Sequence, residues 1–137
     1  MSRIRIFQVL VAAAIVCYVV WFLLPYWPGY LTDAERQLMD YSGYGATLPV
    51  EHPLYYGGWF TVWIIAALGL MFFQNWARHL YLALSLLGLA LAPFSGFVVQ
   101  LPLDSLFTGA NVLLDGAVLA MAYLSPLADS FKKTSRN

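Results

Sequence analysis

Charge is scarce in this chain. Of 137 residues only 10% are Asp, Glu, Lys or Arg, while 61% are hydrophobic and 17% aromatic. Soluble globular domains carry about 25% charged residues, so there are too few polar groups here to clothe a water-facing shell, and the bilayer is the expected solvent. The formal net charge of zero removes the basic face that a nucleic-acid partner would need. The single cysteine, Cys17, excludes an internal disulfide, a Cys-x-x-Cys redox pair and a multi-thiolate metal centre. Inside an apolar stretch it reads as a small hydrophobe. Enzyme signatures are missing too: there is no Gly-x-Ser-x-Gly elbow, no phosphate-binding loop ending in Lys and no His-Glu-x-x-His helix. Gly43-x-Gly45 lacks the later glycine of a dinucleotide site. No cofactor and no metal are expected.

What the chain has is long apolar runs. A helix needs roughly 20 mostly apolar residues to cross the hydrocarbon core, and four such runs occur, at about Ile6 to Leu24, Tyr55 to Phe73, Leu80 to Val99 and Leu106 to Leu124. The first is preceded by Arg3 and Arg5 and contains Ala12, Ala13 and Ala14, as a secretory signal would. It continues through Trp21 and Phe22, longer than a signal core, and is expected to stay as a span. Basic residues near span ends remain disproportionately cytoplasmic. With the N-terminus inside, that side holds Arg3, Arg5, Arg78, Lys132, Lys133 and Arg136, leaving only Arg36 outside. Side-chain charge is then +5 inside and −4 outside. The expectation is a single membrane domain over 1–137: an all-α, up-and-down bundle of four transmembrane helices with both termini cytoplasmic, most simply in a bacterial inner membrane. On this orientation His52 and His79 lie on opposite sides, which excludes a shared metal site.

Gln74 to His79 reads as a short cytoplasmic turn, and Gln100 to Ser105 as a short outer one in which Pro102 and Asp104 stop one helix and cap the next. The long connection, about Pro25 to Leu54, lies outside. Within it Thr32 and Glu35 have the spacing of a capping box, and Arg36 and Asp40 that of a helical ion pair, so a short helix is expected from about Asp33 to Tyr41. Gly43, Gly45, Pro49 and Pro53 argue against regular structure beyond it.

Helices in lipid associate where small residues let backbones approach. Ser85, Gly88, Ala92 and Gly96 form such a stripe in the third span, and Gly109, Gly116 and Ala120 in the fourth. The stripe serves either a dimerisation face, making a homo-oligomer, or packing within the bundle. Pro93 is expected to kink the third helix. Aromatic residues crowd the outer side, while Trp76, Tyr81 and Tyr123 mark the inner one, and most fit headgroup-level belts. Tyr30, Tyr41 and Tyr44 lie far from span ends and are candidates for contact with a partner.

Asp115 is the one charge-capable residue within a span. Thr108, Asn111 and Asp115 are spaced by three, four and seven residues, which puts them on one side of a helix facing into the bundle. No Lys or Arg lies in any span to pair with Asp115. Depth matching nominates Tyr18 or Cys17 in the first helix, and Ser85 or the backbone near Gly88 in the third, as hydrogen-bonding partners. Two roles follow from this placement: a neutral peg that fixes how the helices pack, or a relay in a small proton- or cation-coupled carrier. The leading functional expectation is a non-enzymatic membrane protein acting by contact with another membrane or periplasmic protein, as an accessory subunit or an immunity-type protector. The carrier is the alternative.

Overall fold

The computed structural model describes residues 2–48, 52–128 and 130–131. Glu51, Asp129, Lys132, Lys133 and Arg136, which enter the charge asymmetry, and Pro49 of the long connection lie outside them. Among the described residues the chain is all-helical. Five α-helices run α1 Arg3–Leu23, α2 Asp33–Met39, α3 Pro53–Met71, α4 Asn75–Leu91 and α5 Pro102–Leu124. All but α2 are long and apolar enough to cross a membrane.

Why these segments are helical and where they stop can be read locally. Ser2 Oγ accepts from Arg5 N at the start of α1. At the start of α2 the Thr32–Glu35 capping box forms in full, Glu35 Oε2 lying 2.8 Å from Thr32 N and 2.7 Å from Thr32 Oγ1. This helix is shorter than expected because Asp40 is its C-cap, tied to Arg36 through the backbone (Asp40 N to Arg36 O, 3.2 Å). Pro53, expected to prevent regular structure, instead opens α3, since proline's missing donor costs nothing at a helix's first position. The preceding His52 caps that end by accepting from Leu54 N through Nδ1. Pro102 opens α5 in the same way, with the Asp104 carboxylate reaching back to Leu101 N at 3.2 Å.

The third span departs most from expectation. The turn expected over Gln74 to His79 is confined to Phe72, Phe73 and Gln74, and α4 is already helical at Asn75. Gln74 N donates to Gly69 O and Phe73 N to Leu70 O, with Phe73 at φ 55°: a Schellman motif whose left-handed position is held by phenylalanine. That conformation costs a non-glycine residue about 1–2 kcal/mol. The Phe73 ring offsets this by packing between Phe7, 5.5 Å away by centroids, and Phe131, 5.2 Å away. The polar residues expected to form a loop are thus the first turn of a helix at the bundle's end, where Arg78 lays its guanidinium over the rings of Tyr123 and Phe131. At the other end Pro93 does not kink α4. It terminates it in a single 3-10 turn, Ala92–Phe94, and the chain runs on without helix to α5.

α1 packs most extensively against α5 and also against α3, and α3 against α4; α4 and α5 touch much less. The core joins Phe7, Val11 and Ala14 of α1 to Trp63, Ala66 and Leu70 of α3, together with Tyr81 of α4 and Val118 and Ala122 of α5. Large apolar residues such as Leu89, Leu106 and Leu113 point away from it and are exposed, 63–77% of each. Exposed apolar residues of that kind run along helices long and apolar enough to cross a membrane, and a bilayer would cover them. At one end of the bundle the start of α1, the turn between α3 and α4, and Leu127 and Phe131 converge: Gln8 Nε2 reaches Met71 O, and Phe7 meets both Phe73 and Phe131.

The glycine stripe is not where the helices meet. A Cβ added at Gly109 or Gly116 would find open space, Ala92 lies exposed in the turn after α4, and Gly88 faces only the rim of Trp59 at 3.5 Å. Close approach is made instead by alanines, Ala14, Ala66, Ala67, Ala77 and Ala122 all being fully buried, and by Gly69, where a Cβ would come within 2.5 Å of Ala77 Cβ. Gly96 has a different task. It lies beyond α4 at φ +73°, where a Cβ would meet Ala46 N at 2.6 Å and Tyr44 O at 2.7 Å. Only glycine lets the connection between α1 and α3 lie this close.

Candidate functional site

The sparse α4–α5 contact leaves a cavity of about 430 Å³ inside the bundle. Tyr18 of α1 and Trp59 and Trp63 of α3 form its back wall, Leu84 and Gly88 one side, and Asp115, Gly116 and Leu119 the other. The missing side chain at Gly116 is part of why the space exists. Leu89 and Val112, both largely exposed, stand on the rim, so the cavity communicates with the surface around the bundle. A second hollow, lined by Tyr55, Tyr56, Phe60 and Thr108, continues toward the end of α4 where Ser95 lies. It shares Tyr18, Trp59, Gly88 and Val112 with the first.

Asp115 is placed at this cavity by the α5 register. Asn111, Val118 and Ala122 recur at seven and four and are buried, whereas Val112, Gly116 and Leu119 turn toward the cavity. Asp115 stands between the two faces. Its partner is not one of those nominated from the sequence. Tyr81 Oη donates to Asp115 Oδ1 at 2.5 Å, tying α4 to α5 across their thin contact. Tyr81 is fully buried and its ring packs 5.4 Å from Trp63. Ser85, one turn on, spends its hydroxyl on Tyr81 O at 3.0 Å, and Tyr18 shares the cavity wall with Asp115 without bonding to it. A span starting at Leu80 would make Tyr81 an interfacial marker. With α4 beginning at Asn75 it lies nearly two turns inside the helix, at the depth of Asp115.

Tyr81 occupies Oδ1, and among the described residues none donates to Oδ2. Thr108 Oγ1 and Asn111 Oδ1 are buried without hydrogen-bond partners. Three polar groups on one side of α5 therefore retain bonding capacity, in keeping with their spacing. Among the described residues no lysine, arginine or histidine lines either hollow.

Above the bundle the long connection is fastened to residues 94–99. Gly43 N donates to Phe97 O at 2.7 Å, Phe97 N to Tyr44 O at 3.0 Å and Thr47 N to Phe94 O at 3.1 Å, while Ser42 Oγ accepts from Val99 N at 3.3 Å. Tyr41 and Tyr44 project outward, 63% and 79% exposed. Tyr30 does not join them: its hydroxyl is buried, and burial followed by the nearby Asp104 carboxylate pushes its pKa above the usual tyrosine value. Of the three nominated contact tyrosines, Tyr41 and Tyr44 face solvent, whereas Tyr30 is half-buried near Asp104. The latch has no counterpart among the sequence signals, because irregular backbone pairing leaves no periodicity.

No protein family matches the chain, and no curated protein or solved structure does either.

Proposed function

We propose that this chain is a non-enzymatic polytopic membrane protein that works by protein contact, as an accessory subunit or an immunity-type protector. Both termini are cytoplasmic and the connection between α1 and α3 lies outside, in the simplest case on the periplasmic face of a bacterial inner membrane. The observation that carries this reading is the latch. A connection pinned by three backbone hydrogen bonds, holding Tyr41 and Tyr44 outward at 63% and 79% exposure, presents a preorganised aromatic surface, and preorganisation is what lowers the ordering cost of association. The Asp115–Tyr81 bond supports the structural role for Asp115, since it joins two helices that share little surface. In co-purification from mild detergent, the double variant Tyr41→Ala, Tyr44→Ala releases the bound partner while remaining inserted. Undiminished capture by that variant overturns the reading.

Asp115 on a cavity wall favours a second reading, a small cation- or proton-linked carrier. Flux in proteoliposomes that disappears in Asp115→Asn supports it, and absence of flux in the unmodified protein removes it.

A further inference from the structure

The cavity beside Asp115 combines three properties. Its surface is overwhelmingly apolar, the one charge-bearing residue described on its lining is acidic, and its back wall is made of electron-rich rings. Tyr18 and Trp63 lie 4.1 Å apart by centroids, and Trp63 is in turn 5.4 Å from Tyr81, so the rings of the back wall pack in a chain onto Tyr81, the partner of Asp115. Ring faces carry negative electrostatic potential, and a cation within about 6 Å of them is attracted, most strongly where water is excluded. The Oδ2 atom left unoccupied by Tyr81 supplies a point of attachment on the same wall. A volume of about 430 Å³ falls within the range of small-molecule sites, and the rim residues Leu89 and Val112 put the entrance where lipid would lie.

We propose that this cavity is a binding site for a lipophilic organic cation, a quaternary ammonium bearing an aromatic or alkyl group, taken up from the bilayer. The ammonium sits between Asp115 Oδ2 and the Trp59 and Trp63 rings, and the apolar group extends toward Val112 and the second hollow. Anions and neutral hydrocarbons of the same shape are disfavoured: the first meet a carboxylate with no basic group to answer it, and the second gain nothing from the rings beyond burial. The site shares Asp115 with the carrier reading, but the cation binds there whether or not it is moved. It is separate from the outer face assigned to protein contact.

The test uses the full chain in lipid nanodiscs, with benzyltrimethylammonium as probe and neopentylbenzene as its uncharged isostere, each corrected for partition into empty nanodiscs. The expected result is saturable quenching of tryptophan fluorescence by the ammonium, with the isostere weaker by roughly tenfold or more, the scale of a desolvated cation–aromatic contact. Asp115→Asn keeps an acceptor for Tyr81 and removes the charge, and it is expected to weaken the ammonium by a similar factor while leaving the isostere unchanged. Gly116→Leu adds its Cβ into open space on the cavity wall and is expected to abolish binding of both probes. Equal affinity for the ammonium and its isostere in the unmodified protein overturns the proposal, and so does full ammonium binding in Gly116→Leu. Because the charge comparison is made in the unmodified protein, it decides the matter even where an Asp115 variant fails to fold. Flux measured in parallel separates failure of the carrier reading from failure of this one.

Discussion

Replacing Gly96 with alanine isolates what holds the connection between α1 and α3 in place. Gly96 adopts φ +73°, which costs an L residue about 1–2 kcal/mol on its own. An added Cβ would also stand 2.6 Å from Ala46 N and 2.7 Å from Tyr44 O. Both are backbone atoms, so no side-chain rotation relieves the collision and the two segments must separate. The bonds that lapse are Gly43 N to Phe97 O, Phe97 N to Tyr44 O and Thr47 N to Phe94 O. At roughly 0.5–1.5 kcal/mol net apiece, their loss adds about 1.5–4.5 kcal/mol to the conformational cost. Gly45 provides the matched control. Its φ is +76°, and a Cβ there meets nothing within 4 Å, so Gly45→Ala carries only the conformational cost of about 1–2 kcal/mol. Amide hydrogen exchange in detergent is the assay. Gly96→Ala is expected to strip protection from the amides of Gly43, Thr47 and Phe97, whereas Gly45→Ala leaves them slow. Similar protection in the two variants would refute the reasoning, since it would mean that proximity at Gly96 contributes nothing beyond backbone conformation.

Two further outcomes follow from contacts described above. Tyr81→Phe removes the donor to Asp115 Oδ1 and is expected to lower stability in detergent by about 1–3 kcal/mol; in a double-mutant cycle with Asp115→Ala, simple additivity of the two losses would show that the bond does not couple α4 to α5. Glu35 tests the capping box. The Thr32 hydroxyl and then the Thr32 backbone N–H hold its carboxyl below the usual glutamate value. The support it gives α2 is therefore complete above the unfolded-state pKa and is lost as pH falls through the lower, folded-state one. An NMR titration is expected to give a depressed midpoint that rises toward the ordinary value in Thr32→Ala, and a midpoint indifferent to that substitution would count against the cap.

Parts of this architecture are legible in the sequence because certain physical signals are local. Charge-free runs near 20 residues mark the four long helices, and the Thr32–Glu35 spacing marks α2, since in both cases the deciding interactions lie within a few residues. Asp115 is visible for the same reason, an ionisable group inside an apolar run. What escapes depends on contacts between distant segments. Phe73 can hold a left-handed turn only because Phe7 and Phe131 receive its ring, so the polar stretch that follows resembles a loop although it opens α4. That offset in turn hides Tyr81 as the partner of Asp115. Gly96 looks like a packing residue because its spacing continues that of Gly88, yet Pro93 ends the helix before the pattern reaches it. Small residues in a row signal close approach only where the helix persists and a neighbour arrives; here alanines of α1, α3, α4 and α5 take that part.

The pairing of α1 with α5 also constrains the order of assembly. α1, which precedes the other described helices in the chain, has its largest interface with α5, whereas α3 and α4 are joined by a three-residue turn and meet as soon as both exist. Distant pairings must await the intervening chain and bear its closure entropy. The hairpin of α3 and α4 is therefore the natural seed, and the largest face of α1 waits for α5 to complete the enclosure. An interruption of translation after α4 strands α1 with an unsatisfied face, open to any neighbouring helix that can cover it.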